Sequence, residues 1–268
     1  MTDPRDLAGG KLGLDFPAAG VARLTIDHPE KRNALDHAIL AGIAQTARQL
    51  DDARCLILTA AGPVFSAGYD IGGLPKDEFA HRAESLVAHP FHDAIAALEA
   101  FPFPSVAALN GHAIGGGLEL ALSCDLRLAS EDAKLGMPPA RLGLVYSHTG
   151  LRKFIDAIGA ARTRELFFTA RAIPAERAER WGLVNEVVPP GELADRGVER
   201  AAEIAALAPL SQRGNKRVIG ELLAAEGALD PATERELVDL REACFRSDDF
   251  YEGVNAFAEK RAPQWRAQ

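Results

Sequence analysis

With 268 residues, 47% of them hydrophobic and 25% charged, the chain can bury a full hydrophobic core without disulfides or a structural metal. Its composition excludes disordered and collagen-like classes. A formal net charge of −8 argues against nucleic acid or an anionic membrane as partner, while leaving room for a small anion held by a few local cations.

Cys55, Cys124 and Cys244 stand far apart and make no C-x-x-C pair, so they read as reduced core thiols rather than zinc ligands or a disulfide framework. Residues 1–20 show no sustained apolar run and no signal peptide is read there. No stretch approaches the roughly 20 apolar residues of a membrane span, and a cytoplasmic location is expected.

In chain order, Val21 to Asp27 alternates, with Ala22, Leu24 and Ile26 on one face and Arg23, Thr25 and Asp27 on the other. That period of two predicts a half-buried strand. Asp36 is placed to cap a helix whose Leu40, Ile43, Ala47 and Leu50 recur at helical spacing. Cys55 to Leu58 predicts a short, wholly apolar strand ended by Ala61-Gly62-Pro63, and Lys76 to Ala100 a helix ended by the prolines at 102 and 104. Val106 to Leu109 predicts another strand. Gly111 to Gly117 reads as a glycine-dense loop feeding a helix over Leu118 to Cys124, followed by a strand over Leu126 to Ala129. From Gly150 the pattern is helical, apart from Val184 to Val188, and Asp230-Pro231 is a strong helix start. The alternation in the first half predicts a layered α/β core with mostly parallel pairing, followed by C-terminal helices.

Two glycine-bearing turns carry the chemical information: Phe65-Ser66-Ala67-Gly68-Tyr69-Asp70-Ile71 and Asn110-Gly111-His112-Ala113-Ile114-Gly115-Gly116-Gly117-Leu118-Glu119. Glycine lets a backbone approach a ligand closely, and a helix N-terminus offers free N–H groups. Two such turns at neighbouring strand ends can aim one N–H each at a single oxygen; alternatively, each is a tight connection packed on a neighbour. No phosphate-loop motif is present. The dinucleotide fingerprint fails at Leu120, and a nucleophile elbow fails at Val64.

These two turns, with His28 to Leu35, Trp181 to Pro189 and Phe257 to Arg261, resemble in order and spacing the motifs of the crotonase (enoyl-CoA hydratase/isomerase) superfamily, over about residues 12–264. The resemblance implies an α/β fold with a crotonase-like (ββα)-repeat spiral core over residues 1–200. A C-terminal helical trimerisation or lid region then spans 201–268, and the assembly is a homotrimer or hexamer. It implies an acyl-CoA substrate, with coenzyme A part of that substrate and no separate cofactor or metal. By similarity, the N–H groups of Tyr69 and Gly116 form an oxyanion hole. The backbone of Ala67, Gly68, Asp70 and Ile71 holds the adenine end of CoA, the turn at Asn33 and Ala34 lies near the pantetheine, and Lys260 meets the CoA phosphates.

Hydratases of this superfamily use two glutamates. The first matches Glu119; the second falls at residue 139, which is Pro139. The segments Met137 to Tyr146 and Ser247 to Phe257 are instead similar to methylmalonyl-CoA decarboxylases, in which a tyrosine at the place of Tyr146 faces the substrate carboxylate. That branch carries histidine where this chain has Tyr69. The resemblance therefore implies a lyase that decarboxylates a malonyl-type CoA thioester. An enoyl-CoA hydratase using Glu119 alone and a non-catalytic acyl-CoA-binding protein are the alternatives. His89, His92 and Asp93 lack a further metal ligand, Ser147 and His148 could line the acyl pocket, and His112 sits inside the glycine turn.

Overall fold

The structure is a computed structural model that describes residues 5–70 and 90–266. Strand β3 (Val21–Ile26) sends Ala22, Leu24 and Ile26 into the main core, as their alternation demands. Val21 is buried as well, on the opposite face. The same division runs through β4 (Cys55–Ala60), β6 (Ser105–Leu109) and β8 (Leu126–Ser130). Leu56, Leu58, Ala107, Leu109 and Ala129 face the main core, while Cys55, Ile57, Val106, Ala108 and Leu128 face a second, smaller one. A sheet covered on both faces calls for continuous apolar strands, which explains why β4 reads as an unbroken hydrophobic run.

The second face is covered by α6 (Leu193–Ala205), which runs across residue 200 and buries Leu193, Gly197, Ala201 and Ala205, spaced four apart. On the main-core side lie α1 (His37–Gln49) and α2 (His92–Ala100). Asp36 caps α1, its Oδ1 accepting from the Ile39 N–H at 2.9 Å.

The seven-stranded sheet has the order β1-β2-β3-β4-β6-β8-β11, with β1 (Arg5–Leu7) and β2 (Leu12–Ala18) antiparallel at one edge and β11 (Glu186–Val188) at the other. From β3 to β11 every pairing is parallel. A second sheet of four strands has the order β10-β9-β7-β5, from β5 (Val64–Ser66), β7 (His112–Ile114), β9 (Lys134–Gly136) and β10 (Ile173–Pro174). The chain therefore lays one strand in each sheet and then a helix: β4, β5 and α2; β6, β7 and α3 (Gly116–Leu122); β8, β9 and α4 (His148–Thr169). This is the (ββα) spiral that the resemblance implies. It brings the ends of β5 and β7 side by side.

Several elements differ from the sequence reading. The segment read as a loop over 111–117 contains β7, and α3 begins at Gly116 rather than Leu118. The strands β1, β2, β5, β9 and β10 were not anticipated, and α4 starts at His148, capped by Ser147 Oγ on the Gly150 N–H. Inside α4, Gly159 breaks the helical geometry at φ 76°. Most of the helix expected over Lys76 to Ala100, with His89, lies outside the described residues.

Beyond α5 (Ala175–Trp181) and α6 come α7 (Pro209–Gly227), α8 (Pro231–Phe245) and α9 (Asp248–Ala258). Asp230 caps α8 as its sequence demands. No residue of α7 is buried, and Lys216 ties it to the core through Asp125 at 2.8 Å and the Phe103 carbonyl at 3.0 Å. Among the described residues, no helix is long and apolar enough to cross a membrane.

Candidate active site

The first glycine turn leaves β5 at Ser66 and is pinned to the segment 32–35. Ala67 N–H donates to the Arg32 carbonyl at 3.0 Å, Leu35 N–H to the Gly68 carbonyl at 2.8 Å, and Asp70 N–H to the Leu35 carbonyl at 3.1 Å. Leu35 and Tyr69 thus form an isolated parallel bridge. In such a bridge the bonds run to the residues flanking Tyr69, and its own N–H points the other way. Gly68 sits at φ 94°, a conformation open to glycine at no steric cost.

Asn33 organises this turn from below. Its side chain is fully buried, donating to the Ala61 and Val64 carbonyls at 2.8 and 2.7 Å and accepting from the His28 N–H at 2.8 Å. Ser66 Oγ donates to the Asn33 carbonyl and accepts from the Gly68 N–H. The side chain of Asn33 is therefore consumed in holding the turn. Asp70 pairs with Lys31 at 2.7 Å.

The second turn opens α3. Gly115 N–H donates to the Gly136 carbonyl at 2.9 Å, and the Gly115 carbonyl accepts from Leu118 and Glu119. Gly116 and Gly117 keep the free N–H groups of a helix start. Among the described residues, neither the Tyr69 nor the Gly116 N–H meets an acceptor. The turns are in contact: a Cβ on Gly116 would stand 2.8 Å from the Tyr69 ring, one on Gly117 2.5 Å from Ser66 Cβ, and one on Gly68 3.4 Å from the Gly116 nitrogen. Glycine is required at 116 and 117 by close packing rather than by positive φ.

Behind the turns lies a polar cluster in an aromatic setting. Glu119, on the first turn of α3, is buried and accepts a hydrogen bond at Oε2 from the Tyr146 hydroxyl. Burial lifts the Glu119 carboxyl to about 7, against the opposing pull of the Tyr146 hydrogen bond and the charge of Lys153. Burial, then the charge of Glu119, holds Tyr146 well above the ordinary phenol range. Tyr69 is raised by the same two causes, against the opposing pull of a hydrogen bond with Tyr146. Both phenols therefore stay protonated at neutral pH. Phe91 meets Tyr69 edge-on at 4.8 Å and Phe167 meets Tyr146 at 5.5 Å.

Tyr69, Gly116, Glu119 and Tyr146 are thus brought together, with Asn33, Ala34, Ala67, Gly68 and Asp70 around the first turn. Ile71 lies outside the described residues. Lys260 stands elsewhere, at φ 56° after α9, lining a cavity of about 440 Å³ with Arg141, Phe257, Arg261 and Trp265. His112 accepts from the Lys134 N–H and His148 faces Glu234, so both have partners. Among the described residues no group of His, Cys, Asp and Glu could hold a metal.

Gly150 was missed by the sequence reading. A Cβ there would meet Tyr146 at 2.6 Å and Glu119 Oε1 at 2.8 Å, so this glycine makes room for the pair. The Ser147-x-x-Gly150 start of α4 was the available signal.

Comparison with known proteins gives a consistent picture. Residues 17–268 match the family described as enoyl-CoA hydratase/isomerase. The Mycobacterium leprae protein named "Probable enoyl-CoA hydratase echA8" is 35% identical over 251 residues, which are 91% of this chain and 94% of that one. The Dictyostelium discoideum "Probable enoyl-CoA hydratase, mitochondrial" is 33% identical over 91% of this chain and 87% of its own. A methylmalonyl-CoA decarboxylase solved with 2-nitronate-propionyl-CoA superposes with a TM-score of 0.88 at 30% identity, covering 96% of this chain and 99% of that chain. An enoyl-CoA hydratase from Mycobacterium avium subsp. paratuberculosis K-10 does so with a TM-score of 0.81 at 27% identity, over 96% and 98%. The chain belongs to the enoyl-CoA hydratase/isomerase family and is an enzyme of the crotonase superfamily.

Proposed function

We propose that the protein is an acyl-CoA lyase that decarboxylates a malonyl-type CoA thioester such as methylmalonyl-CoA. In this reading the thioester oxygen sits between the N–H groups of Tyr69 and Gly116. The bond from the α-carbon to the carboxylate breaks, CO₂ leaves, and the electron pair enters the thioester as an enolate whose oxygen is stabilised by the two amides. The α-carbon then takes a proton. No general base is needed, and in this reading the protonated phenol of Tyr146 turns its proton from Glu119 to the substrate, orienting the carboxylate or acting as a donor. Coenzyme A is part of the substrate, and no separate cofactor enters.

One observation carries this choice. The carboxyl beside the two turns is Glu119, already engaged by Tyr146, and the position of a second glutamate is held by the buried Pro139. The likeness to methylmalonyl-CoA decarboxylase supports it.

A second reading, hydration of an enoyl-CoA by Glu119 alone, is favoured by the names of the sequence relatives and by a carboxyl lifted to about 7, suited to proton transfer near neutrality. Offering the purified protein methylmalonyl-CoA, ethylmalonyl-CoA and crotonyl-CoA, with products resolved by mass, separates the two. Loss of CO₂ from the malonyl-type thioesters is expected; gain of water by crotonyl-CoA alone reverses the assignment.

A further inference from the structure

A cation stands behind this cluster that no motif of the chain points to. On α8, Glu234, Arg241 and Cys244 share one face, since residues seven apart and then three apart align on a helix. That face runs along the segment leading into α4. Cys244 Sγ donates to the Gly143 carbonyl at 2.8 Å and accepts from the Val145 N–H at 3.2 Å, and Glu234 faces His148 at 3.6 Å. Arg241 lies between those two anchor points, opposite the stretch that carries Tyr146.

Its guanidinium is unusual. Arg241 Nε is buried and has no hydrogen-bond partner, and among the described residues Arg241 makes no ion pair, although the residue is only half-buried. Its positive charge reaches both Glu119 and Tyr69, favouring their ionised forms against the larger effect of burial. A buried guanidinium N–H left unpaired is costly, and such a group calls for an anion with matching geometry.

We infer that Arg241 receives the free carboxylate of the substrate's acyl group, so that this site selects CoA thioesters with an anionic acyl terminus. The inference rests on the decarboxylase reading and names the substrate class within it. Arg241 is a binding residue here. A guanidinium paired to the carboxylate stabilises the bound substrate and loses its partner as CO₂ departs, so its contribution lies in affinity rather than in turnover.

Two unreactive thioethers test this by calorimetry: 2-carboxypropyl-CoA, which carries the carboxylate but no thioester carbonyl, and isobutyl-CoA, the same skeleton without the carboxylate. The wild type should bind the charged ligand more tightly. Arg241→Gln should weaken that binding by on the order of ten-fold or more, as expected when a charge-assisted bidentate pair is lost. It should leave isobutyl-CoA within about three-fold, and Arg241→Lys should fall between. With methylmalonyl-CoA, Arg241→Gln should raise KM without lowering kcat.

If Arg241→Gln does not fold, the wild-type comparison and Arg241→Lys decide. A wild type that binds both thioethers equally, or variants that weaken both alike, overturns the role of Arg241 and leaves the acyl-CoA reading standing. Failure of the wild type to bind either thioether removes both.

Discussion

The hydroxyl of Tyr146 donates to the buried carboxylate oxygen of Glu119, joining a residue at the mouth of α4 to one on the first turn of α3. The bond directs the phenol's proton toward Glu119. Replacing Tyr146 by Phe should keep the ring packing on Phe167 and remove this orientation. We expect turnover of a malonyl-type thioester to fall by about 10²-fold, the low end of what a positioned acid–base group contributes, with CoA affinity changing far less. Equal, small losses in both would make Tyr146 a packing residue.

Glu119 also makes stability depend on pH. Its carboxyl is raised from the ordinary 4.5 to about 7 in the folded chain. Between those values the unfolded chain has released the proton while the folded chain keeps it. Folding then takes up a proton, and stability falls as pH rises through this window. The full contribution is present below about 4.5 and lost above about 7. Glu119→Gln removes the effect. In urea unfolding at pH 4.5 and pH 8, wild type should lose about 3 kcal/mol relative to the glutamine variant on going to the higher pH. Parallel pH profiles for the two proteins would contradict this.

The same variant discriminates between the two chemistries. Decarboxylation needs Glu119 only as an acceptor for Tyr146, which glutamine can replace, so Glu119→Gln should cost less than about ten-fold on methylmalonyl-CoA. A hydratase relying on that carboxylate would lose about 10²–10⁴-fold on crotonyl-CoA.

Gly116 and Tyr69 are coupled by contact. A Cβ at 116 meets the Tyr69 ring at 2.8 Å, so Gly116→Ala should destabilise the fold by about 1–3 kcal/mol through overpacking. In a Tyr69→Ala background the loss should shrink, because the obstructing ring is gone. Thermal melts of the two single variants and the double variant measure the coupling; strictly additive shifts would contradict it.

On α7, Leu210, Val218, Ile219, Leu222 and Leu223 are exposed. A patch of this kind marks an association surface, and we propose that it joins copies of the chain as a trimer or hexamer. Light scattering should show that mass, and Leu222→Asp should shift it toward the monomer.

Much of the scaffold was legible because its burial is periodic. β3 shows alternation, and β4 is apolar throughout because both its faces are covered. The cap residues Asp36 and Asp230 announce their helices. β7 and β10 were not legible: they are three and two residues long, bounded by glycine or proline, and exist through their partners β9 and β5. The two glycine turns stood out because glycine at 68 answers a backbone demand and at 116 and 117 a demand for space. The destination of the Tyr69 ring and the approach of Arg241 depend on elements distant in sequence, and no local pattern records them.

The bridge to Leu35 fixes the direction of the Tyr69 amide through main-chain bonds alone. Amide direction and side-chain identity at this position are therefore set independently. A designer, or natural variation, could exchange the phenol for an imidazole or a methyl group and reshape the acyl chamber while the donor keeps its aim.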